Sequence, residues 1–233
     1  MSARAAASFD DIDAALLGAI RRAEPAPTRV NPTAPWQTSA MVVGIDPGLK
    51  GFAAEIGRDG VVRLSRVPVI DVGGKLTYDL PGMAALARTW QGVAAVALIE
   101  QQGPMPGNGA VGNFAVGYGW GLWRMALVAA EVPVEVITPL KWKTAMGIAI
   151  ARSKPLPRTK AKLSKVEKKA EAQAKRVRLD SRRKDGDRRA IECAQAMFPT
   201  LNLRATRTGE KLSADKACAA LLAALARRQL GGA

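Results

Sequence analysis

The stretch MVVGIDPGLKGFAAEIG, which runs from Met41 to Gly57, decides the fold of this chain. Its first residues are apolar, β-branched or small, a composition typical of a buried strand. The strand delivers one carboxylate, Asp46, to a turn made by Pro47 and Gly48, and a second apolar run follows the turn. The sequence therefore predicts a β-hairpin that places Asp46 at the end of its first strand.

The segments after this hairpin predict an α/β core. Strand patterns, which are apolar runs bounded by Gly, Pro or Asp, cover residues 41–46, 51–57, 60–67, 93–100 and 132–138. Helical spacing of apolar residues covers residues 81–91, 114–131, 187–198 and 213–228. The first three strands predict an antiparallel meander, and the fourth strand follows a helical crossover, so it is predicted to run parallel to the first. This order predicts a mixed five-stranded sheet with helices on both faces.

Two segments depart from this core, which we predict to be one domain over residues 41–230. Residues 1–40 combine a helical pattern behind Ser8 with a linker that holds four prolines, so we predict either a docking or self-association helix or an unstructured tail. Residues 151–183 change abruptly to Lys, Arg, Ala, Ser and Pro. Because they contain few large apolar residues, we predict a basic insertion that is only partly ordered in isolation.

Composition excludes several kinds of chemistry. The chain has 233 residues and no histidine, which excludes Ser-His-Asp and Cys-His catalysis and His-ligated zinc. Cys193 and Cys218 form no CxxC motif and predict reduced thiols. No apolar run is long enough to cross a bilayer and no secretory signal is found, so we expect a cytoplasmic protein with no membrane partner. Any chemistry must rely on carboxylates, with metal ions as the expected cofactors.

The net charge of +15 is concentrated in one stretch. Between Lys141 and Arg189, 18 basic residues against five acidic ones leave a net charge of +13. A field so local predicts a polyanionic partner, and nucleic acid is the first candidate. The alternative is a solvated run of charges that keeps the protein soluble.

Two further acids can meet Asp46. Glu100 ends the strand over residues 93–100, and if that strand lies beside the first, both carboxylates stand at the sheet edge where open α/β sheets build their sites. Asp215 lies in the first turn of the last helix. Carboxylates that cluster repel one another, so two Mg²⁺ or Mn²⁺ ions about 4 Å apart would stabilise them and could hydrolyse a phosphodiester. Considered one at a time, each acid also has a structural explanation that involves no metal. Asp46 can be a turn former, Glu100 a surface residue at a strand end, and Asp215 a favourable charge at a helix N-terminus.

Several motifs taken together resemble a known family. They are VVGIDPGLKGFA, ALIE, MPGxG, YGWGL, VITPLKWK, a segment ending in FP, and DxAxAALLAA. In this order and spacing they resemble the RuvC-like Holliday junction resolvases, especially the phage-encoded branch, over about Met41–Gly147 and Asp187–Arg227. IDPG alone would be weak, because sugar kinases and chaperone ATPases share an Asp-bearing first hairpin. The resemblance implies an RNase H-like fold, metal-dependent cleavage of four-way or branched DNA, a homodimer, and a bacterial or phage-infected cell.

The resemblance also implies roles for single residues. Asp46 would bridge two Mg²⁺ or Mn²⁺ ions, with Glu100 and Asp215 as the second and third ligands. The fourth acid of the family, usually one helical turn after the third, falls on Cys218 in this sequence. Because a thiol is a poor ligand for Mg²⁺, water or another acid such as Glu210 would have to take its place.

Residues that contact DNA are predicted in three places. Lys143 matches a basic residue of the family that faces DNA phosphate, and its neighbours Lys141 and Trp142 are predicted to contact DNA as well. The loop over residues 103–113 is rich in Gly and is the element predicted to enter a junction. The remaining predicted DNA contacts are Gly107, Asn108, Asn113, Phe114, Lys184 and Arg188.

Three functions follow from these observations. The first is an active resolvase, which the missing fourth carboxylate would weaken. The second is a branched-DNA-binding protein of the same fold that has lost catalysis. The third, an ATP-dependent kinase with an Asp-bearing first hairpin, is disfavoured because the 233 residues contain no second phosphate-binding Gly loop and no large second domain.

Overall fold

The computed structural model describes residues 41–104, 109–149, 164–206 and 209–231. The predicted N-terminal helix and its linker lie outside the described residues, as does the part of the basic insertion before residue 164. Gly107 and Asn108, two of the predicted DNA contacts, also lie outside them.

Five strands form one mixed sheet. They are β1 (Met41–Ile45), β2 (Phe52–Ile56), β3 (Val62–Arg66), β6 (Ala94–Glu100) and β7 (Val134–Ile137), and the order across the sheet is β3-β2-β1-β6-β7. The pairs β1–β2 and β2–β3 are antiparallel, whereas β1–β6 and β6–β7 are parallel. This is the RNase H-like arrangement, so the predicted fold class is confirmed.

Five helices are described in the chain segments around this sheet. They are α1 (Leu80–Arg88), α2 (Gly109–Ala129), α3 (Pro139–Ala145), α4 (Lys165–Met197) and α5 (Ala214–Gln229). One core cluster joins α5, α3 and the C-terminal part of α4 to one face of the sheet, and a second joins α1 and α2 to the other. No helix among the described residues is long and apolar enough to span a bilayer.

Helix α5 packs unusually close to the central strand. A side chain at Gly44 of β1 would clash with the backbone of Ala219 and Ala223, and both alanines are fully buried. Only a residue without a Cβ allows this approach. The contact fixes the first two turns of α5, which carry Asp215 and Cys218, beside the end of β1.

The opposite face is closed by aromatic side chains. Trp90 and Trp123 are buried and stack with ring centroids 6.1 Å apart. Trp123 lies on α2 and Trp90 follows α1, so the stacked pair links these two helices. Trp90 also donates a hydrogen bond from Nε1 to Glu55 Oε1 at 2.8 Å.

The structure contains a small hairpin that the sequence analysis did not predict. Strands β4 (Val69–Val72) and β5 (Lys75–Tyr78) pair with each other in a separate two-stranded sheet. Gly73 and Gly74 form the turn with positive φ angles of 62° and 81°, which is the conformation a two-residue hairpin loop needs. The Gly73-Gly74 pair is the sequence signal from which this hairpin could have been predicted.

Three helices also differ from the prediction. Helix α2 begins at Gly109 rather than near Phe114, so residues 109–113 of the predicted loop are helical. Helix α3 directly follows the strand predicted over residues 132–138, where no helix was predicted. Thr138 is its N-cap and accepts a hydrogen bond from Lys141 N–H at 3.3 Å, and Pro139 lies in the first turn. Helix α4 begins at Lys165 rather than near Asp187, so it continues through much of the predicted insertion. Ion pairs three or four residues apart, such as Lys184 with Asp180, accompany this extension.

Candidate active site

Asp46 stands at the end of β1 in a tightly closed turn. Its N–H donates to the carbonyl of Phe52 at 3.0 Å, and Gly51 N–H donates to the carbonyl of Gly48 at 2.8 Å. A side chain at Gly51 would clash with the carbonyl of Asp46, so glycine is required there. Tyr78 supports the turn from β5 through a hydrogen bond from its hydroxyl to the carbonyl of Pro47 at 3.2 Å.

Glu100 lies next to Asp46 because of the sheet register. Ile45 of β1 pairs with Ile99 of β6 in the parallel ladder. The next residue along each strand is an acid, Asp46 after Ile45 and Glu100 after Ile99. The sheet thus brings two acids, which are 54 positions apart in the chain, to the same end of two neighbouring strands. This placement agrees with the rule that sites of open α/β sheets form at the carboxyl ends of parallel strands.

Asp215 and Cys218 join these two acids from α5. Burial, followed by the negative charges of Glu100 and Asp215, raises the pKa of Asp46 from 3.8 to about 7. Burial, followed by the charge of Asp46, raises the pKa of the Cys218 thiol well above its usual value. The structure therefore places the four positions that the sequence analysis assigned to the metal site close enough for their charges to interact.

Lys143 is the cation nearest the two carboxylates at the strand ends. It extends from the last turn of α3, and its charge lowers the pKa values of Asp46 and Glu100, although burial outweighs this effect in both. Lys143 Nζ also lies 5.2 Å from the centroid of the Trp142 ring. Lys143 thus offsets part of the negative charge of the two carboxylates at the strand ends.

Trp142 does not contact DNA, and that prediction was wrong. The side chain is 0% exposed, in the core between α3 and the sheet. Its Nε1 donates a hydrogen bond to Glu100 Oε2 at 3.0 Å. The two lysines beside Trp142 suggested an exposed position, but the first turn of α3 directs the indole inward. Trp142 therefore orients a site carboxylate.

The other predicted DNA contacts occupy varied positions. Lys141 is exposed, Asn113 is half-buried, and Phe114 is 73% exposed at the start of α2. The Phe114 ring stacks on Tyr118 with centroids 6.0 Å apart, and Tyr118 meets Tyr78 edge to face. On α4, Lys184 and Arg188 are exposed and form ion pairs with Asp180 and with Asp185 and Glu192. Their contacts with DNA stay predictions.

One acid near the site was missed by the sequence analysis. Burial, followed by the charge of Asp187 on α4, raises the pKa of Asp215. Arg183 and Lys50 act in the opposite direction on Asp215. No sequence motif marked Asp187, since its proximity depends on how α4 packs against α5. Glu210, the substitute suggested for the fourth acid, is exposed and does not contribute to any of these shifts among the described residues.

The cluster fits a divalent cation in charge and in donor chemistry. Burial raises the pKa values of Asp46, Glu100 and Asp215, and the charges of the other two raise that of Asp46 as well, so added positive charge would stabilise the ionised carboxylates. Carboxylate oxygens suit Mg²⁺ and Mn²⁺, whereas the Cys218 thiol does not. Within the described part of the chain no three Asp, Glu or Cys side chains stand ready around one point, so the carboxylates would have to turn or water would have to complete the ligand set.

The fold and site thus define an RNase H-like domain with a carboxylate cluster at the end of its central strands. No family model matches the sequence, and no curated protein matches it. Among solved structures, the chain is similar to Thermus thermophilus RuvC at 15% identity and a TM-score of 0.42, covering 81% of this chain and 96% of that one. It is also similar to T. thermophilus RuvC in complex with Holliday junction substrate, at 14% identity and a TM-score of 0.43, covering 82% and 97%.

Proposed function

We propose that this protein is a metal-dependent, structure-selective endonuclease that cleaves four-way or otherwise branched DNA. The observation that carries the proposal is the convergence of Asp46, Glu100 and Asp215 at the carboxyl ends of the central strands of an RNase H-like sheet. The motif resemblance to RuvC-like resolvases and the local excess of basic residues support DNA as the substrate. The absence of histidine supports a reaction that depends on carboxylates and metal ions.

In this proposal Asp46, Glu100 and Asp215 would hold one or two Mg²⁺ or Mn²⁺ ions. Such ions supply activation of a water and stabilisation of the leaving oxygen of a phosphodiester. The residues of the chain prepare the site: the Gly51 turn aims Asp46, and the Trp142 hydrogen bond orients Glu100. Lys143 offsets part of the negative charge, so that a phosphate can approach the carboxylates.

DNA contacts in the proposal come from exposed groups beside the site. Lys141 on α3 and the basic face of α4 would bind backbone phosphates, which adds affinity without reading sequence. Phe114, exposed and stacked on Tyr118, offers a face on which an unpaired base can stack.

A cleavage assay tests the proposed function. The full chain is incubated with a four-way junction, a flap and a linear duplex of the same sequence, with Mn²⁺, with Mg²⁺ and with EDTA. We expect strand cleavage of the junction in the presence of either metal and little cleavage of the duplex. Tight binding of the junction without any nicking in either metal would overturn the enzymatic proposal.

A non-catalytic, branched-DNA-binding protein is the second candidate, and Cys218 favours it. The thiol occupies the cluster at the position that the motif resemblance assigns to the fourth acid. We expect Cys218→Asp to raise the Mg²⁺-dependent cleavage rate at least several-fold, because an added carboxylate completes the hard ligand set. Cys193→Asp, outside the cluster, is the matched control. Equal rates for Cys218→Asp and the wild type would exclude position 218 from the metal site.

We also propose that the enzyme is a homodimer that pairs through α2. An apolar stripe, spaced alternately three and four residues apart, runs along this helix, and its exposed members are Val111 (84%), Phe114 (73%), Tyr118 (44%), Met125 (64%) and Val128 (63%). This spacing is that of a helix-packing seam, and Gly121 in the stripe permits close approach. A second copy would cover the C-terminal part of this stripe, from Gly121 to Val128, and leave Phe114 and Tyr118 open to a base. A symmetric pair suits a substrate with two equivalent strands.

Sedimentation velocity checks the proposed dimer. We expect the full chain to sediment as a dimer at micromolar concentration, and the double variant Met125→Glu, Val128→Glu to sediment as a monomer, since buried unpaired charges oppose association. Val177→Glu, which changes an exposed apolar residue of α4, is the control and should leave the dimer intact. A monomeric wild-type chain would contradict the proposal.

A further inference from the structure

A cleft runs along one face of α4 and ends at the candidate active site. It has a volume of about 980 Å³, and its walls are α4 from Asp180 to Gln195 and the segment from Lys211 to Asp215, with Lys50 at the end nearest the hairpin turn. Asp180 and Gln195 are 15 residues apart on the helix, so the cleft is about 22 Å long at 1.5 Å per residue. This length accommodates several consecutive nucleotides of one strand.

The cations of the cleft fall into two groups. Lys184 and Arg188 form ion pairs with acids of their own helix at 2.9 Å and 2.8 Å. Lys50, Arg183 and Lys211 lie within 4.0 Å of no carboxylate among the described residues. The second group therefore keeps its charge available for a ligand from outside the chain.

These three cations stand beside the carboxylates without neutralising them. Lys50 and Arg183 are close enough to Asp215 to lower its pKa, yet burial and the charge of Asp187 raise it more. The cleft thus has an acidic end at Asp187 and Asp215, which suits a metal ion, and a wall next to it in which five cations outnumber the acids Asp180 and Glu192. A ligand that joins a metal-bound phosphate to further phosphates would match both parts.

We propose that this cleft binds the sugar-phosphate backbone of the DNA strand that flanks the scissile phosphate, with Lys50, Arg183 and Lys211 on consecutive phosphates. The identity of the polyanion rests on the proposed function. Lys184 and Arg188 can exchange their acidic partners for phosphates at little cost, because exposed ion pairs contribute little free energy, so they extend the same path along α4. The site selects a phosphodiester chain by charge and spacing and reads no bases.

The test is DNA binding as a function of salt, measured on the full chain in EDTA so that catalysis plays no part. The probes are a fluorescent four-way junction and a single-stranded oligonucleotide, titrated at several KCl concentrations. The variant is the triple substitution Lys50→Gln, Arg183→Gln, Lys211→Gln. The matched control carries the same charge change at exposed cations away from the cleft: Arg58→Gln, Lys75→Gln and Arg88→Gln.

We expect the slope of log K against log[KCl] to become shallower by about 2–3 in the cleft variant, since each lost phosphate contact removes about 0.7–0.9. The control variant should keep the wild-type slope. Equal slopes for wild type and cleft variant would overturn the inference, and so would an equal loss in the control. Circular dichroism melts verify that both variants fold. Failure of the proposed function is seen separately, as absence of cleavage by the wild type.

Discussion

Asp46→Asn is expected to abolish metal-dependent cleavage and, at the same time, to stabilise the metal-free protein at neutral pH. Cleavage should fall by more than about 100-fold, because loss of even an outer-shell partner of a metal site costs about 10–100-fold. Stability should rise because the ionised carboxylate is unfavourable in its buried, negatively charged surroundings. The pKa of Asp46 lies at about 7 in the folded protein, against an ordinary value of 3.8.

The sign of the pH dependence follows from proton binding. Between about pH 4 and pH 7 the folded state binds the Asp46 proton and the unfolded state does not, so wild-type stability falls as the pH rises through this window and levels off above it. At about 1.4 kcal/mol for each pH unit, the advantage of Asp46→Asn should widen by about 2–3 kcal/mol between pH 5 and pH 8. Denaturant unfolding in EDTA at both pH values measures this difference.

Asp59→Asn is the control for this experiment. The hydrogen bond with Arg63 lowers the pKa of Asp59 below its ordinary value of 3.8, so this carboxylate is ionised in both the folded and the unfolded state between pH 5 and pH 8. The stability of Asp59→Asn relative to the wild type should therefore not change between these two pH values. If the free energy of unfolding of Asp46→Asn does not gain on that of the wild type between pH 5 and pH 8, the inference that Asp46 is a buried carboxylate repelled by its neighbours is contradicted. Added Mn²⁺ should then stabilise the wild type more than Asp46→Asn, since a ligand stabilises the state that binds it.

Trp142→Phe is expected to weaken Mn²⁺ binding by about tenfold or more, although Trp142 touches neither metal nor DNA. The substitution removes the Nε1 hydrogen bond that orients Glu100, and groups that orient metal ligands typically contribute 10–100-fold in affinity. Loss of a hydrogen bond to a charged group and of buried apolar volume should also destabilise the fold by about 2–3 kcal/mol. Calorimetric titration with Mn²⁺ measures the affinity independently of cleavage.

The chain offers a matched control for this prediction. Trp90 is as deeply buried as Trp142 and donates the same kind of hydrogen bond, to Glu55 on β2. Trp90→Phe should therefore destabilise the fold by a similar amount and leave Mn²⁺ affinity near the wild-type value. Similar affinities for the two variants would show that Trp142 contributes only to packing.

The main elements of the fold were predictable from the sequence because their signals are local. Apolar runs of strand length, helical spacing and the Asp-Pro-Gly turn each depend on residues within a few positions of one another. The strand ends at Asp46 and Glu100 then followed from the expected parallel pairing. The Gly73-Gly74 turn and the Thr138-Pro139 helix start are equally local, and both were missed although their signals are present in the sequence.

Only the tertiary structure decided which side chains surround those acids. Trp142 and Glu100 are 42 positions apart, and no spacing rule shows that the indole turns inward between two lysines. Asp187 reaches Asp215 because α4 packs against α5, a contact that depends on helix packing rather than on periodicity. The sequence by itself therefore determined that Asp46 and Glu100 stand at the ends of two strands, since strand patterns are local. Their burial, their raised pKa values and their hydrogen-bond partners arise from packing between distant segments, which only the folded chain contains.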